Sequence, residues 1–161
     1  MKKINLIYGS GDILDTHLNI NPFEENPNNT SLVRDDISNL DKYADDAELD
    51  ELSAVDVIDY LPLNSCEQSL SNWFKKIRIG GKIIIGGIDL FEVSKSFSQY
   101  RIDLSEANLL IHGEQSKPYL FRKANFTTFG LSEYISQKFG FNVVKKRIND
   151  YHMIIESERK L

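Results

Sequence analysis

The sequence predicts an α/β protein: an open, mostly parallel sheet with helices on both faces and an antiparallel hairpin at the C-terminus. Three observations carry this. Short apolar runs alternate with amphipathic stripes of helical spacing, the order of βα units. Lys82 is followed by Ile83-Ile84-Ile85, a continuous β-branched run, the mark of a strand buried on both faces. Near the end, two strand-like runs flank Ile148-Asn149-Asp150-Tyr151, whose Asn-Asp pair suits a turn.

The elements follow in chain order. Ile4-Asn5-Leu6-Ile7-Tyr8 is a β-prone run that stops at Gly9-Ser10-Gly11-Asp12. Residues 17–21 form a second run, ended by Pro22, and residues 24–31 are a polar, turn-rich loop. Leu32-Val33-Arg34, before Asp35-Asp36, is a short third strand, and residues 38–50 read as loop plus a weak helix. Residues 51–58 are a strand that feeds the loop Asp59-Tyr60-Leu61-Pro62. Ser65 and Gln68 have capping-box spacing. The helix they would open carries Leu70, Trp73, Phe74 and Ile77 as an apolar stripe and ends at Gly80-Gly81. Residues 91–112 are helical and irregular. Residues 132–139 are a further helix, with Gly140 where a left-handed C-terminal residue belongs. Residues 141–147 and 153–157 make the hairpin.

Composition narrows the function. The chain has 161 residues, a length expected of one domain spanning 1–161. A hydrophobic fraction of 41% excludes disorder. The lone cysteine, Cys66, excludes an internal disulfide framework and a multi-cysteine zinc site. No apolar run approaches the ~20 residues that cross a bilayer, and no basic-then-apolar leader opens the chain. The expectation is a soluble, cytoplasmic protein with no membrane partner. The net charge of −5 leaves no global basic footprint for phosphate. The clusters at Lys75, Lys76, Arg78 and Lys82 and at Lys145, Lys146 and Arg147 read as solvated ends of a helix and a strand. Residues 41–59 are strongly acidic and would repel a nucleic-acid backbone. Nothing in the sequence reports the oligomeric state.

Sheets of this kind bind ligands beyond the carboxyl ends of their strands, so the residues there are the candidates. Gly9-Ser10-Gly11 lets a backbone approach a ligand closely, although such loops also end strands on steric grounds alone. Asn21 can meet ribose hydroxyls, or it is a turn residue before Pro22. Asp36 can accept from an adenine amino group, or it caps a helix. Asp56, Asp59 and Tyr60 can face a substrate, and Tyr60 can equally be a packing residue. His112 is a candidate proton acceptor or a solvated side chain. Cys66 reads as a buried small side chain.

In series these segments resemble a short class I S-adenosylmethionine (SAM)-dependent methyltransferase, a small type often found near glycan-biosynthesis genes. Ile4-Asn5-Leu6-Ile7-Tyr8-Gly9-Ser10-Gly11 is similar to that family's LNLGCG strand and loop. Residues 17–23 resemble its YINIDIS strand, and Val33-Arg34-Asp35-Asp36-Ile37 its third strand. Asp50-Glu51-Leu52 and Asp56-Val57-Ile58-Asp59-Tyr60-Leu61-Pro62 resemble DEI…HVLEHLP. Residues 73–83 resemble WYRVLKPGGRL, and Asp89-Leu90 its PDL. Gly113-Glu114-Gln115, residues 121–126 and Gly140-Phe141-Asn142-Val143-Val144 resemble YGGQ, FHKNGF and GFKVV. The match covers nearly the whole chain in order.

The resemblance implies SAM as cofactor and a small-molecule or glycan-type acceptor. It places the methionine part at Gly9, Ser10 and Gly11, the ribose at Asn21 and the adenine at Asp36 and Ile37. Asp56 is implied to bind the cofactor as well, and Asp59 and Tyr60 to be catalytic. Departures are plain. The family's ribose acid is Asn21 here, the histidines of HVLEH are Asp56 and Tyr60, its Glu is Asp59, and the histidine of FHKNG is Arg122. These losses also fit a catalytically degenerate interaction module on the same fold.

Overall fold

A computed structural model describes residues 1–25 and 31–160. The sheet has seven strands: β1 (Lys3–Leu6), β2 (Leu18–Asn21), β3 (Leu32–Arg34), β4 (Leu49–Ala54), β5 (Ile77–Ile88), β6 (Phe141–Asn149) and β7 (His152–Arg159). Their order is β3-β2-β1-β4-β5-β7-β6. The first five are mutually parallel, and β7 runs antiparallel to both β5 and β6. Among the described residues four α-helices accompany them: α1 (Leu63–Lys76), α2 (Leu90–Ser98), α3 (Leu104–His112) and α4 (Thr128–Phe139). The parallel sheet and closing hairpin match the sequence expectation.

Strand alternation sorts the sheet into two unlike faces. Ile4, Leu6, Ile20, Leu52, Ile83, Ile85 and Ile155 point one way. They form the main core with Leu70, Trp73 and Phe74 of α1 and Leu131 and Ile135 of α4. The other face carries Asn5, Asn19, Glu51, Ser53, Lys82 and Glu156. Glu51 pairs there with Lys3 at 3.3 Å, Lys82 at 3.4 Å and His17 at 3.1 Å. Among the described residues no helix connects β1 to β2, β2 to β3 or β3 to β4. Loop backbone takes that place: Asn5 donates to the Asp12 carbonyl, and Asn19 exchanges hydrogen bonds with the main chain of Leu14. On this second face the α2–α3 pair packs against Ile88 at the end of β5 and against Tyr151. Helical cover is therefore less even than expected. Ile84, predicted buried on both faces, is half-buried for the same reason.

Several boundaries differ for identifiable reasons. β1 stops at Leu6, before Ile7 and Tyr8. β4 begins at Leu49, and residues 58–60 form a single 3-10 turn. The weak helix expected within 38–50 is a set of turns. Asn72 accepts from the Leu40 N–H and Trp73 Nε1 donates to the Ile37 carbonyl, so α1 holds the segment in place. α1 starts directly after Pro62, which leaves Ser65 inside the first turn with no capping box. Gly80-Gly81 lies within β5 near a register shift rather than after a helix. The hairpin turns on Asp150 and Tyr151, both at positive φ. Most of the loop expected at 24–31 falls on 26–30, outside the described residues.

Candidate functional site

The strand order reverses at β1, with β2 and β3 on one side and β4 and β5 on the other. Connections diverge at such a point and leave a crevice beyond the carboxyl ends. β1 delivers Tyr8, Gly9 and Ser10 to it, and β4 delivers Asp56. Because β7 is antiparallel, its first residue, His152, sits opposite Ile88 at the end of β5 and reaches the same edge. Two adjoining cavities of about 370 and about 180 Å³ result. The larger runs along Asn5, Ser53 and Ile154 beside Ser10 and Gly11. Tyr8, Asp56, Tyr60, Arg122 and His152 bound the smaller.

His152 and Asp56 form a pair: His152 Nδ1 lies 2.8 Å from Asp56 Oδ1. Asp56 adopts φ +54°, in the left-handed region that non-glycine residues rarely occupy. The adjoining Val57 N–H donates to the Gly86 carbonyl at 3.2 Å. A side chain at Gly86 would meet the Met153 carbonyl at 2.4 Å, so only glycine lets the strands approach this closely. The hydrogen bond that His152 donates to the Asp56 carboxylate raises the His152 pKa above its ordinary value, and burial opposes it. An imidazole oriented through one nitrogen by a carboxylate is equipped to hold or pass a proton.

Tyr60 stacks on Tyr8 with ring centroids 4.7 Å apart, and the Arg122 guanidinium lies 5.0 Å from the Tyr60 centroid. Burial pushes the Tyr60 phenol above its usual range, so at neutral pH it is a donor rather than a base. Asp59 is fully buried beneath it. Its Oδ2 accepts from Arg122 Nη1 at 2.6 Å and from the Ile88 N–H at 3.1 Å. Its main-chain carbonyl accepts from Lys123 and Ala124. Burial raises the Asp59 carboxyl pKa and Arg122 opposes that rise. Asp59 Oδ1 and Arg122 Nε are buried without a hydrogen-bond partner. Asp59 thus ties residues 122–124 to the turn after β4 and does not open into the cavity.

The residues expected to hold a cofactor divide into two sets. Ser10 and Gly11 lie on the larger cavity, and Gly9 sits beside them at φ +77°. Asn21 is buried next to Gly9 and engaged at both ends of its amide. Nδ2 donates to the Gly9 carbonyl at 2.8 Å, and Oδ1 accepts from the Phe23 N–H at 3.1 Å. A Cβ on Gly9 would lie 2.7 Å from Leu120 Cδ2. Tyr119 stacks on Phe23 at 3.7 Å with an interplanar angle of 11°. In this arrangement Tyr119 and Leu120 occupy the space beside Phe23 and Gly9. Asp36 and Ile37 stand apart from both cavities. Asp36 accepts from the Ser38 N–H and hydroxyl, and Ile37 is a core residue.

Sequence reasoning missed His152, Tyr119 and Leu120. The hairpin register is the signal that would have found His152, because an antiparallel return begins at the ligand end of a parallel sheet. His112, singled out instead, is exposed. Cys66 is buried, and burial pushes its thiol up to about 11.

No family model matches the sequence, and no curated protein matches it. Solved structures do. A SAM-dependent methyltransferase from Archaeoglobus fulgidus superposes with a TM-score of 0.63 over 98% of this chain and 86% of its own, at 11% identity. The fold is that of the class I SAM-dependent methyltransferases. The 1,6-didemethyltoxoflavin-N1-methyltransferase of Burkholderia thailandensis, solved with bound 1,6-didemethyltoxoflavin and S-adenosylhomocysteine, gives 0.62 at 13% identity, covering 98% of this chain and 71% of that one. A chain of a Haloferax volcanii complex containing the Trm112 methyltransferase activator gives 0.61 at 9% identity, covering 99% and 82%. On this fold the Tyr8–Ser10 turn and the Asp56–His152 pair lie at the carboxyl ends of the parallel strands. Among the described residues no helix is long and apolar enough to cross a membrane.

Proposed function

We propose that the chain is a single-domain, cytoplasmic SAM-dependent methyltransferase acting on a small-molecule or glycan-type acceptor. One observation carries this reading. On the methyltransferase strand order, Tyr8, Ser10, Asp56, Tyr60 and His152 converge on one crevice at the reversal point. SAM supplies a methyl group already activated on a sulfonium, so the protein's task is chiefly to position an acceptor and manage its proton. His152, oriented by Asp56, is the proton-holding group, and the Tyr60 hydroxyl is a donor. Asp59 acts through Arg122. Gly9, Ser10, Gly11 and Asp56 border the cofactor place; Asn21 braces Gly9 from behind, and Asp36 and Ile37 lie outside it. The net charge of −5 disfavours a nucleic-acid acceptor.

Calorimetric titration with SAM and S-adenosylhomocysteine tests the proposal. Saturable binding of both is the expected result. Heat indistinguishable from dilution at millimolar ligand would contradict it. The degenerate interaction module is favoured by a different observation: the Asn21 amide is satisfied internally and Leu120 covers Gly9.

A further inference from the structure

The segment that fills the crevice has a distinctive construction. Residues 113–124 leave α3 at Gly113 (φ +82°), and Gln115 is also at positive φ. The far end is held firmly. Arg122 pairs with Asp59, its N–H donates to the His112 carbonyl, and Lys123 and Ala124 both donate to the Asp59 carbonyl. The tip is a turn, Lys117-Pro118-Tyr119-Leu120, closed by the Leu120 N–H donating to the Lys117 carbonyl at 3.0 Å. Residues 114–118 are exposed, while Tyr119 and Leu120 are half-buried. Among the described residues the main-chain hydrogen bonds of the tip, Leu120 to Lys117 and Gln115 to Leu120, stay within the segment. Tyr119 stacks on Phe23, Leu120 lies against Gly9, and Glu114 borders the smaller cavity.

We propose that residues 113–121 are a built-in occupant of the crevice. A nucleoside ligand competes with Tyr119 for the Phe23 face and with Leu120 for the space over Gly9. The Tyr119 ring lies parallel to Phe23 at 3.7 Å, the geometry a purine would take on the same ring. Leu120 rests against Gly9, which has no side chain to keep it away. The Asp59–Arg122 pair anchors the base of the segment, so the tip swings away without the base detaching. This inference rests on the proposed cofactor reading and adds a regulatory step to it.

The test uses S-adenosylhomocysteine with the full chain and a Tyr119→Ala/Leu120→Ala variant. Calorimetry gives affinity, and amide hydrogen exchange of residues 114–121 in the wild type gives the position of the segment. The expected result is at least tenfold tighter binding by the variant, with faster exchange of the wild-type segment when ligand is added. Equal affinities with unchanged exchange would overturn the built-in occupant and leave the cofactor reading intact. Binding by neither protein would overturn both.

Discussion

His152 Nδ1 sits 2.8 Å from the carboxylate of Asp56, a residue 96 positions earlier in the chain that the fold holds at φ +54°. The folded pKa of His152 is raised above the ~6.5 of an unfolded chain. The pair's contribution to stability is then fully present below about pH 6.5 and is lost as pH rises through the folded value. Both groups are more than a third exposed, which limits the effect to about 1 kcal/mol or less. Asparagine tolerates a left-handed backbone, so Asp56→Asn removes the charge with little strain. Thermal melts should show Asp56→Asn less stable than wild type at pH 5.5 and nearly equal at pH 8.5. A proton NMR titration should show the His152 pKa falling in the variant.

Asp89 joins two helices. It is buried, and its Oδ1 accepts from the Phe91 and Glu92 N–H groups that open α2. Its Oδ2 accepts from the N–H and hydroxyl of Thr128 at the start of α4. Asp89→Ala removes a cap and strands buried donors, a loss of about 1–3 kcal/mol in urea denaturation. Thr128→Val, which removes only the hydroxyl, should cost less.

The Asp59–Arg122 pair predicts strong non-additivity. Each side chain is at least nine-tenths buried. Removing one partner leaves a buried uncompensated charge or donor, which costs about 3–5 kcal/mol. Asp59→Asn and Arg122→Met should each destabilise the protein strongly, and the double variant should lose less than the sum. Purely additive losses in a double-mutant cycle would show the two to be independent.

Much of this molecule is legible in its residues. The β-branched run Ile83–Ile85, the Leu70–Trp73–Phe74 stripe and Gly140 each dictate local structure, and strand and helix follow. The Gly9–Gly11 turn and Asp56 were legible as crevice residues because they follow strands of a parallel sheet. What escaped depends on distant contacts. The turns at 38–48 exist because Asn72 and Trp73 bond to them from α1. Asp59 looked like a cavity acid until Arg122, 63 positions later, was found to take its carboxylate. Asn21 invited a ribose reading, yet its amide bridges Gly9 and Phe23.

That bridge makes Asn21→Asp a sharp test. A carboxylate lacks the donor that Gly9 receives and would press an oxygen against that carbonyl. The expected outcome is destabilisation of about 1–3 kcal/mol in chemical denaturation, with no gain in S-adenosylhomocysteine affinity. Tighter binding at unchanged stability would instead restore Asn21 as a ribose contact.

The claim that the β1–β4 crevice is the ligand site is tested most directly by a nitrogen-15 NMR titration of the wild-type chain with S-adenosylhomocysteine. The account predicts saturable shifts at the amides of Gly9, Ser10, Asp56 and Tyr60, accompanied by Leu120. No shifts up to millimolar ligand would contradict it. So would shifts gathered in the apolar groove between α1 and α4 around Leu63, Leu90 and Leu131.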